Sequence, residues 1–377
     1  MSDNGFSVNE ETFAKMVALK KQTGFGERDW DEWFSDVLKL NSTPVSLQDE
    51  IENAMKKLHY ESFSDWVQNF ALNLSYIWSE SSARVLDPTL NSNNENVNNS
   101  AIVIGKGPSL KKHRHLELIA ESNYEGSIVC CDGVLRTALQ AGVTPDKFPN
   151  FYVVTVDPYS HARNFYDDRI VDEYGHKIKG IFSTISNPSV VERARNAGIK
   201  IHWLHSLFDY GEGKKSFNHI SSLMVRAKNH SNGLPAIQTG GNVGTASWFI
   251  SWQILKNSTV AIIGINHGWE EDDSWETIIT HGRKGEHKIY GKDISVEVDK
   301  NSTTFQKLFK KIYNPEFKCY CILDPLFQFY SEALKEFISR SPAWLTTINA
   351  TEGGSIFGER IKCMTLMKFL AQYHHQG

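Results

Sequence analysis

Ala101-Ile102-Val103-Ile104-Gly105-Lys106-Gly107-Pro108-Ser109-Leu110 is the stretch from which the fold is read. Four apolar residues in a row fit a strand buried on both faces, as in a parallel sheet. Gly105, Gly107 and Pro108 force a tight turn, and Ser109 is placed to cap the next element. Glycines at a strand tip leave backbone N–H groups with no β-carbon in the way. That geometry suits a phosphate, so a nucleotide-using protein is expected, with Gly105, Lys106, Gly107, Pro108 and Ser109 at its phosphate. The turn lacks both the Lys-Ser/Thr pair of a Walker loop and the GxGxxG spacing of a dinucleotide fold. A plain strand-to-helix turn is the competing reading.

Downstream, short apolar runs alternate with helical stretches. Strands are expected at 101–104, 127–131, 151–156, 179–182, 200–203, 259–263 and 319–323. Helices are expected at 134–141, 188–197, 242–256, 302–313 and 325–339. This alternation predicts an α/β fold: a Rossmann-like, mostly parallel sheet with helices on both faces. Upstream, helical spacing runs through Phe13, Met16 and Val17, then Trp30 to Leu38, Leu47 to Leu58 and Ser64 to Trp78. Residues 1–86 therefore read as a helical N-terminal module whose aromatic residues pack helices. The asparagine-rich stretch 87–100 reads as a polar linker, and 101–370 as the catalytic domain.

Ligands of such sheets sit beyond the carboxyl ends of the strands, so strand-end residues form the shortlist. Asp132 can accept from a ribose or base, hold a metal, or cap the helix near Val134. Asp157 is a reasonable Mg²⁺ ligand after a buried strand, or a turn-former before Pro158. Gly240-Gly241-Asn242-Val243-Gly244-Thr245 opens a helix and offers a second anion or sugar cradle, unless Asn242 only caps it. The two glycine turns are expected to aim their amides at one anion. Asn266 and His267 come after the strand 259–263; the imidazole suits a general acid or base. His281 is a second candidate for that role, in a loop where Arg283 and Lys284 could meet phosphates. Asn349-Ala350-Thr351-Glu352-Gly353-Gly354 either closes a site or is an ordinary turn.

Composition narrows the class. With 44 acidic and 40 basic residues the net charge is −4, so no general attraction to nucleic acid is expected. No apolar run is long enough to span a bilayer, and the start lacks a secretory pattern, so a cytoplasmic location is the default. Five cysteines with no CxxC pair argue against a disulfide framework or a structural zinc site. Nothing in the pattern sets the oligomeric state.

The order of the motifs resembles one family. Gly105-Lys106-Gly107-Pro108-Ser109-Leu110, Asp132, Gly142-Val143-Thr144-Pro145-Asp146 and Val153 to Asp157 are succeeded by Gly240 to Gly244. Ile263-Gly264-Ile265-Asn266 and Asn349 to Gly354 complete the series. It looks like the MptE-like family, which includes archaeal 6-hydroxymethylpterin diphosphokinases and the bacterial motility accessory factors linked to flagellin glycosylation. The first glycine turn and the glycine-rich helix start also resemble bacterial sialyltransferases that use CMP-sugars. The resemblance covers residues 100–365 and implies a nucleotide at the glycine turns, with Asp132 and Asp157 lining the cleft. It implies that Gly241, Asn242 and Gly244 face the donor and that Thr351, Glu352 and Gly353 close the site. Two departures stand out. Asn266 replaces an acid, and Val156-Asp157-Pro158 replaces Asp-Leu-Asp-Gly, which weakens the case for a two-metal site.

The expected function is glycosyl transfer from a nucleotide-activated sugar of the CMP-nonulosonate type to a protein or glycan acceptor. The alternatives are ATP-dependent diphosphoryl transfer to a small pterin acceptor, with Mg²⁺ on Asp132 and Asp157, and a non-catalytic nucleotide-binding scaffold.

Overall fold

In a computed structural model, residues 47–90, 99–209, 216–228, 233–273, 310–323 and 325–373 are described. His281, Arg283 and Lys284, the helical stretches before residue 47 and most of the polar linker lie outside them. The chain divides into two compact units, 1–57 and 58–377. The division falls inside the helix α1 (Leu47–Ser79), not at the expected boundary near residue 86. The stretches expected as two helices, 47–58 and 64–78, are this one helix.

The strands are β1 (Ser81–Ser82), β2 (Ser100–Ile104), β3 (Ser127–Cys131), β4 (Phe151–Thr155), β5 (Lys179–Ser183), β6 (Lys200–Ser206) and β7 (Ala236–Ile237). They continue with β8 (Thr259–Ile263), β9 (Trp269–Glu270), β10 (Lys310–Asn314), β11 (Cys319–Leu323), β12 (Thr346–Asn349) and β13 (Ile361–Cys363). The large sheet runs β1-β6-β5-β4-β3-β2-β8-β12-β13, with β7 beside β6, and its pairings are parallel. The Rossmann-like expectation holds. The chain builds outward from β2 through β6, then returns to lay β8 on the other side of β2. The topological switch point therefore lies between β2 and β8, where open α/β sheets bind ligands.

Strand residues alternate between two cores. Ile102, Ile104, Cys130 and Val153 face one; Ala101, Val103, Val129 and Val154 face the other. On the first face lie the inner half of α1, α2 (His115–Glu121) and, late in the chain, Leu366–Gln372. On the second lie α3 (Val243–Phe249), which continues as a π-helical turn to Ile254, and α4 (Pro325–Ser339). The aromatic residues of α1 serve packing: Trp66 meets Phe208 edge-on at 5.3 Å and Phe70 meets Phe217 at 5.4 Å.

Three expectations are corrected. β11 is not in the parallel sheet but in a small antiparallel sheet, β10-β11-β9. Lys310–Asn314, expected as the end of a helix, is a strand. Asn314 and Pro315 begin a tight turn in which the Asn314 side chain accepts from the Glu316 and Phe317 amides. Tyr313 then meets Tyr320 across the hairpin, ring centres 5.0 Å apart and tilted by 55°, a cross-strand pair that a helix could not form. β12 was not expected at all; its Thr346-Thr347-Ile348-Asn349 sequence is too polar to read as a buried strand. Among the described residues no helix is long and apolar enough to cross a membrane.

Candidate functional site

Register sets the geometry at the carboxyl edge of the sheet. Ile104 lies between Cys130 and Ile263, and Cys131 lies beside Val154. The turns after β2, β3, β4 and β8 therefore emerge side by side.

The first glycine turn is not the naked cradle that its sequence suggests. The Gly105 amide donates to Ile263 O at 2.8 Å and the Gly107 amide to Gly264 O at 2.7 Å. A β-carbon on Gly105 would lie 2.4 Å from Gly264 O; one on Gly107 would lie 2.1 Å from Asn266 Oδ1. These glycines exist so that two loops can touch. Ser109 is buried and donates to Asn266 Oδ1 at 2.9 Å. Pro108 precedes the short helix Ser109–Lys112 without a side-chain cap.

The second turn does come alongside the first, but Ile265 stands between them. Its side chain would meet a β-carbon on Gly105 at 2.7 Å and one on Gly244 at 3.2 Å. Gly240 and Gly241 take positive φ and back onto Thr245, Tyr330 and Phe337. Asn242 caps α3 through Thr245 N at 2.9 Å. The convergence of both turns on a single anion is therefore corrected: an apolar side chain occupies the gap. Among the described residues the Val243 and Gly244 amides have no hydrogen-bond partner, as the first donors of a helix do not. Val243 packs against both cores, so it overhangs the sheet edge.

A polar cluster gathers on the β3–β4 side of β2. Asp132 is 4% exposed and does not cap the helix after it. Its carboxylate accepts from Gly133 N at 2.7 Å and from Thr155 Oγ1 at 3.0 Å. Thr155 in turn sits 2.6 Å from Tyr166 OH; since Thr155 donates to Asp132, the tyrosine donates to Thr155. Burial, and then the nearby Asp157 charge, push the Asp132 carboxyl up to about 7, against the opposing pull of Thr155, Gly133 and Lys106. Lys106 arches over Gly133 and lies 5.0 Å from the Phe165 ring centre. Asp157 accepts from Tyr159 N at 2.8 Å and faces His161 Nε2 at 3.6 Å. Ser247, one turn into α3, is 3.6 Å from Cys131 Sγ. Lys106, Asp132, Asp157 and the start of α3 thus share one stretch of the edge.

The residues expected on the β8–β12 side are brought close to one another but serve the protein's own structure. His267 is 7% exposed at φ 39°, against Phe327 and Tyr330. Burial lowers its pKa to about 3, helped by Lys335, so the ring is uncharged at neutral pH and the general-acid role is corrected. Thr351 is fully buried; it donates to Asn349 Oδ1 and Ile262 O. Glu352 accepts from Leu366 N at 3.0 Å and lies 3.3 Å from His115 Nε2. Burial opposes its charge, but these partners outweigh it and hold the carboxyl below its usual range. Gly353 leaves room for Glu270 Oε1, whose carboxylate pairs with Lys112.

Mg²⁺ was expected on Asp132 and Asp157. Two neighbouring carboxylates, one of them buried with a raised pKa, fit a cation of this kind. Mg²⁺ commonly takes only one or two carboxylates and completes its shell with phosphate and water. Among the described residues no group of three or more His, Cys, Asp or Glu could hold a metal ion by itself. Thr155, Tyr166 and Phe165 were not singled out in the sequence. The clue for Thr155 was its place in the strand that ends two residues before Asp157; the other two carried none.

A family model described as 6-hydroxymethylpterin diphosphokinase MptE-like matches residues 68–272. No curated protein matches the chain. Among solved structures, a MAf glycosyltransferase from Magnetospirillum magneticum AMB-1 is similar at 14% identity with a TM-score of 0.47, over 71% of this chain. The match spans about a third of that protein, 34% of its length.

Proposed function

The chain belongs to the MptE-like family, and from that premise we propose that it is a nucleotide-dependent transferase working at the Lys106–Asp132–Asp157 edge. The preferred donor is a nucleotide-activated sugar of the CMP-nonulosonate type, and the acceptor is a hydroxyl on a protein or glycan. The observation that carries this reading is Asp132: a buried carboxyl with a pKa near 7 can take up and release a proton at neutral pH. The acceptor oxygen bonds to the anomeric carbon as the bond from that carbon to the phosphate oxygen breaks. The nucleotide leaves with the bonding pair, and Asp132 takes the acceptor's proton. Lys106, whose charge already acts on Asp132, would meet the charge on the departing phosphate.

A second reading is ATP-dependent diphosphoryl transfer to a hydroxymethylpterin, the activity in the family model's name. The pairing of Asp132 with Asp157 favours it. Both carboxylates would then hold Mg²⁺, which would neutralise phosphate charge. Turnover of CMP-sugars and of ATP plus hydroxymethylpterin, each with and without Mg²⁺, separates the two. CMP release that Asp132→Asn abolishes supports glycosyl transfer. Mg²⁺-dependent AMP release with no CMP-sugar turnover overturns it.

A further inference from the structure

Asn69 and Asn73 lie one turn apart on the inner face of α1, so their side chains project in the same direction. Both are buried, at 6% and 1% exposure. Each spends its amide donors on backbone carbonyls far away in sequence. Asn69 Nδ2 donates to Pro158 O at 2.9 Å and to Ile185 O at 3.0 Å. Asn73 Nδ2 donates to Thr184 O at 3.2 Å and to Ser186 O at 2.8 Å. The targets differ. Asn73 reaches only the turn after β5. Asn69 bridges that turn to the residue directly after Asp157.

The turn after β4 needs such a brace. Asp157 and Pro158 are only half-buried. Pro158 has no N–H of its own to anchor it. Its carbonyl is held by Asn69, with Asn187 Nδ2 more distant at 3.4 Å. The turn after β5 is by contrast built in: Ser183, Thr184 and Ser186 are fully buried, and Ser186 Oγ donates to Thr155 O. Asn69 therefore couples a loosely held turn to a firmly held one.

We propose that Asn69 is a positioning residue that sets where the Asp157 carboxylate sits relative to Asp132. The α1 helix, read from sequence as a separate module, is by this token part of the site. That Asp157 serves turnover rests on the function proposed above; that Asn69 holds the Asp157 turn does not.

The test compares Asn69→Leu with Asn73→Leu in the full chain. Leucine is close in size and shape but cannot donate. Asn73→Leu leaves two buried carbonyls unpaired, whereas Asn69→Leu unpairs Ile185 O and leaves Pro158 O to Asn187 alone, so Asn73→Leu should lose at least as much stability. The distinguishing readout is hydrogen exchange at the Tyr159 amide, which donates to Asp157 Oδ1. Asn69→Leu should speed it at least tenfold, while Asn73→Leu leaves it within twofold of wild type. With a CMP-sugar as probe, Asn69→Leu should lower kcat at least tenfold while the Kd for CMP changes less than twofold. Equal Tyr159 exchange in the two variants, or none accelerated, overturns the proposal. If Asn69→Leu does not fold, Asn69→Ala makes the same comparison. The Asp157→Asn variant separates the two failures. Turnover unchanged in Asp157→Asn removes the role of Asp157 in the reaction, whereas turnover lost there but kept in Asn69→Leu removes only the brace.

Discussion

The two halves of the sheet's carboxyl edge, on either side of β2, are built from similar sequence and do different work. On the β8–β12 side, glycine turns, buried hydroxyls and carboxylates knit loops together. Ser355 alone donates its hydroxyl to the carbonyls of Asn266 and His267, and Ser331 contacts it at 3.0 Å. On the β3–β4 side, Asp132, its carboxyl pushed up to about 7, lies in the field of both Asp157 and Lys106. Polar residues at strand ends are thus no sign of a site until their partners are known.

The halves also respond to pH in opposite senses. Asp132 has a raised folded pKa, so the folded state holds its proton more tightly than the unfolded chain does. It therefore costs stability progressively as pH rises from about 4 to about 7. His267 has a lowered folded pKa, so the unfolded chain binds the proton first, and stability falls as pH drops from 6.5 to about 3. Glu352, held below its usual range, adds to the loss on the acid side.

The largest expected effect that would break the comparison is on turnover. Asp132→Asn should reduce CMP release by about 10²–10⁴-fold, the range of a general base. Glu352→Gln, across the edge, should cost less than tenfold per folded molecule; equal losses would erase the distinction between the halves. Next comes Gly105→Ala, which forces a β-carbon against the Gly264 carbonyl. It should destabilise by about 1–3 kcal/mol or more in urea titration, with no ligand present. A variant as stable as wild type that has lost only nucleotide affinity would restore the phosphate-cradle reading.

A third measurement sharpens the β3–β4 side. The kcat/KM profile should rise with pH through about 7. Asp157→Asn removes a like charge, which must lower the Asp132 pKa, so the limb should move to lower pH; movement upward would remove the pairing. The smallest effect is expected at His267. His267→Phe should leave turnover within about threefold, since the neutral imidazole neither gives nor takes a proton near pH 7. It should flatten the decline of the urea midpoint between pH 6.5 and 3, where each unit of displaced pKa is worth about 1.4 kcal/mol.

Much of this was legible beforehand. Seven of the expected strands are present, and six of them form the centre of the parallel sheet, because uninterrupted apolar runs such as Ala101–Ile104 can only be buried on both faces. Asp132 and Asp157 could be placed at one edge from sequence because a parallel sheet puts its strand ends together. Asn69 was invisible, since a lone asparagine in a helix reads as a surface residue until the carbonyls it meets are known. β12 was missed because its polar side chains are buried on partners from elsewhere: Thr347 accepts from Trp248 and Asn349 donates to the Ile356 carbonyl.

Alone, then, the order of apolar runs and turns determined the layering of a mostly parallel sheet and, with the motifs, the family, because burial and chain direction are local properties repeated along the chain; the strand order's reversal at β2 came from the structure. Tertiary structure decided which partners each polar group meets. Gly105 and Gly107 give their amides to β8 and its turn, Ile265 fills the space beside Gly244, and Asp132 keeps a proton near neutrality because it is buried beside Asp157. Hydrogen bonding and desolvation depend on what arrives from distant segments, and no pattern within a segment records that.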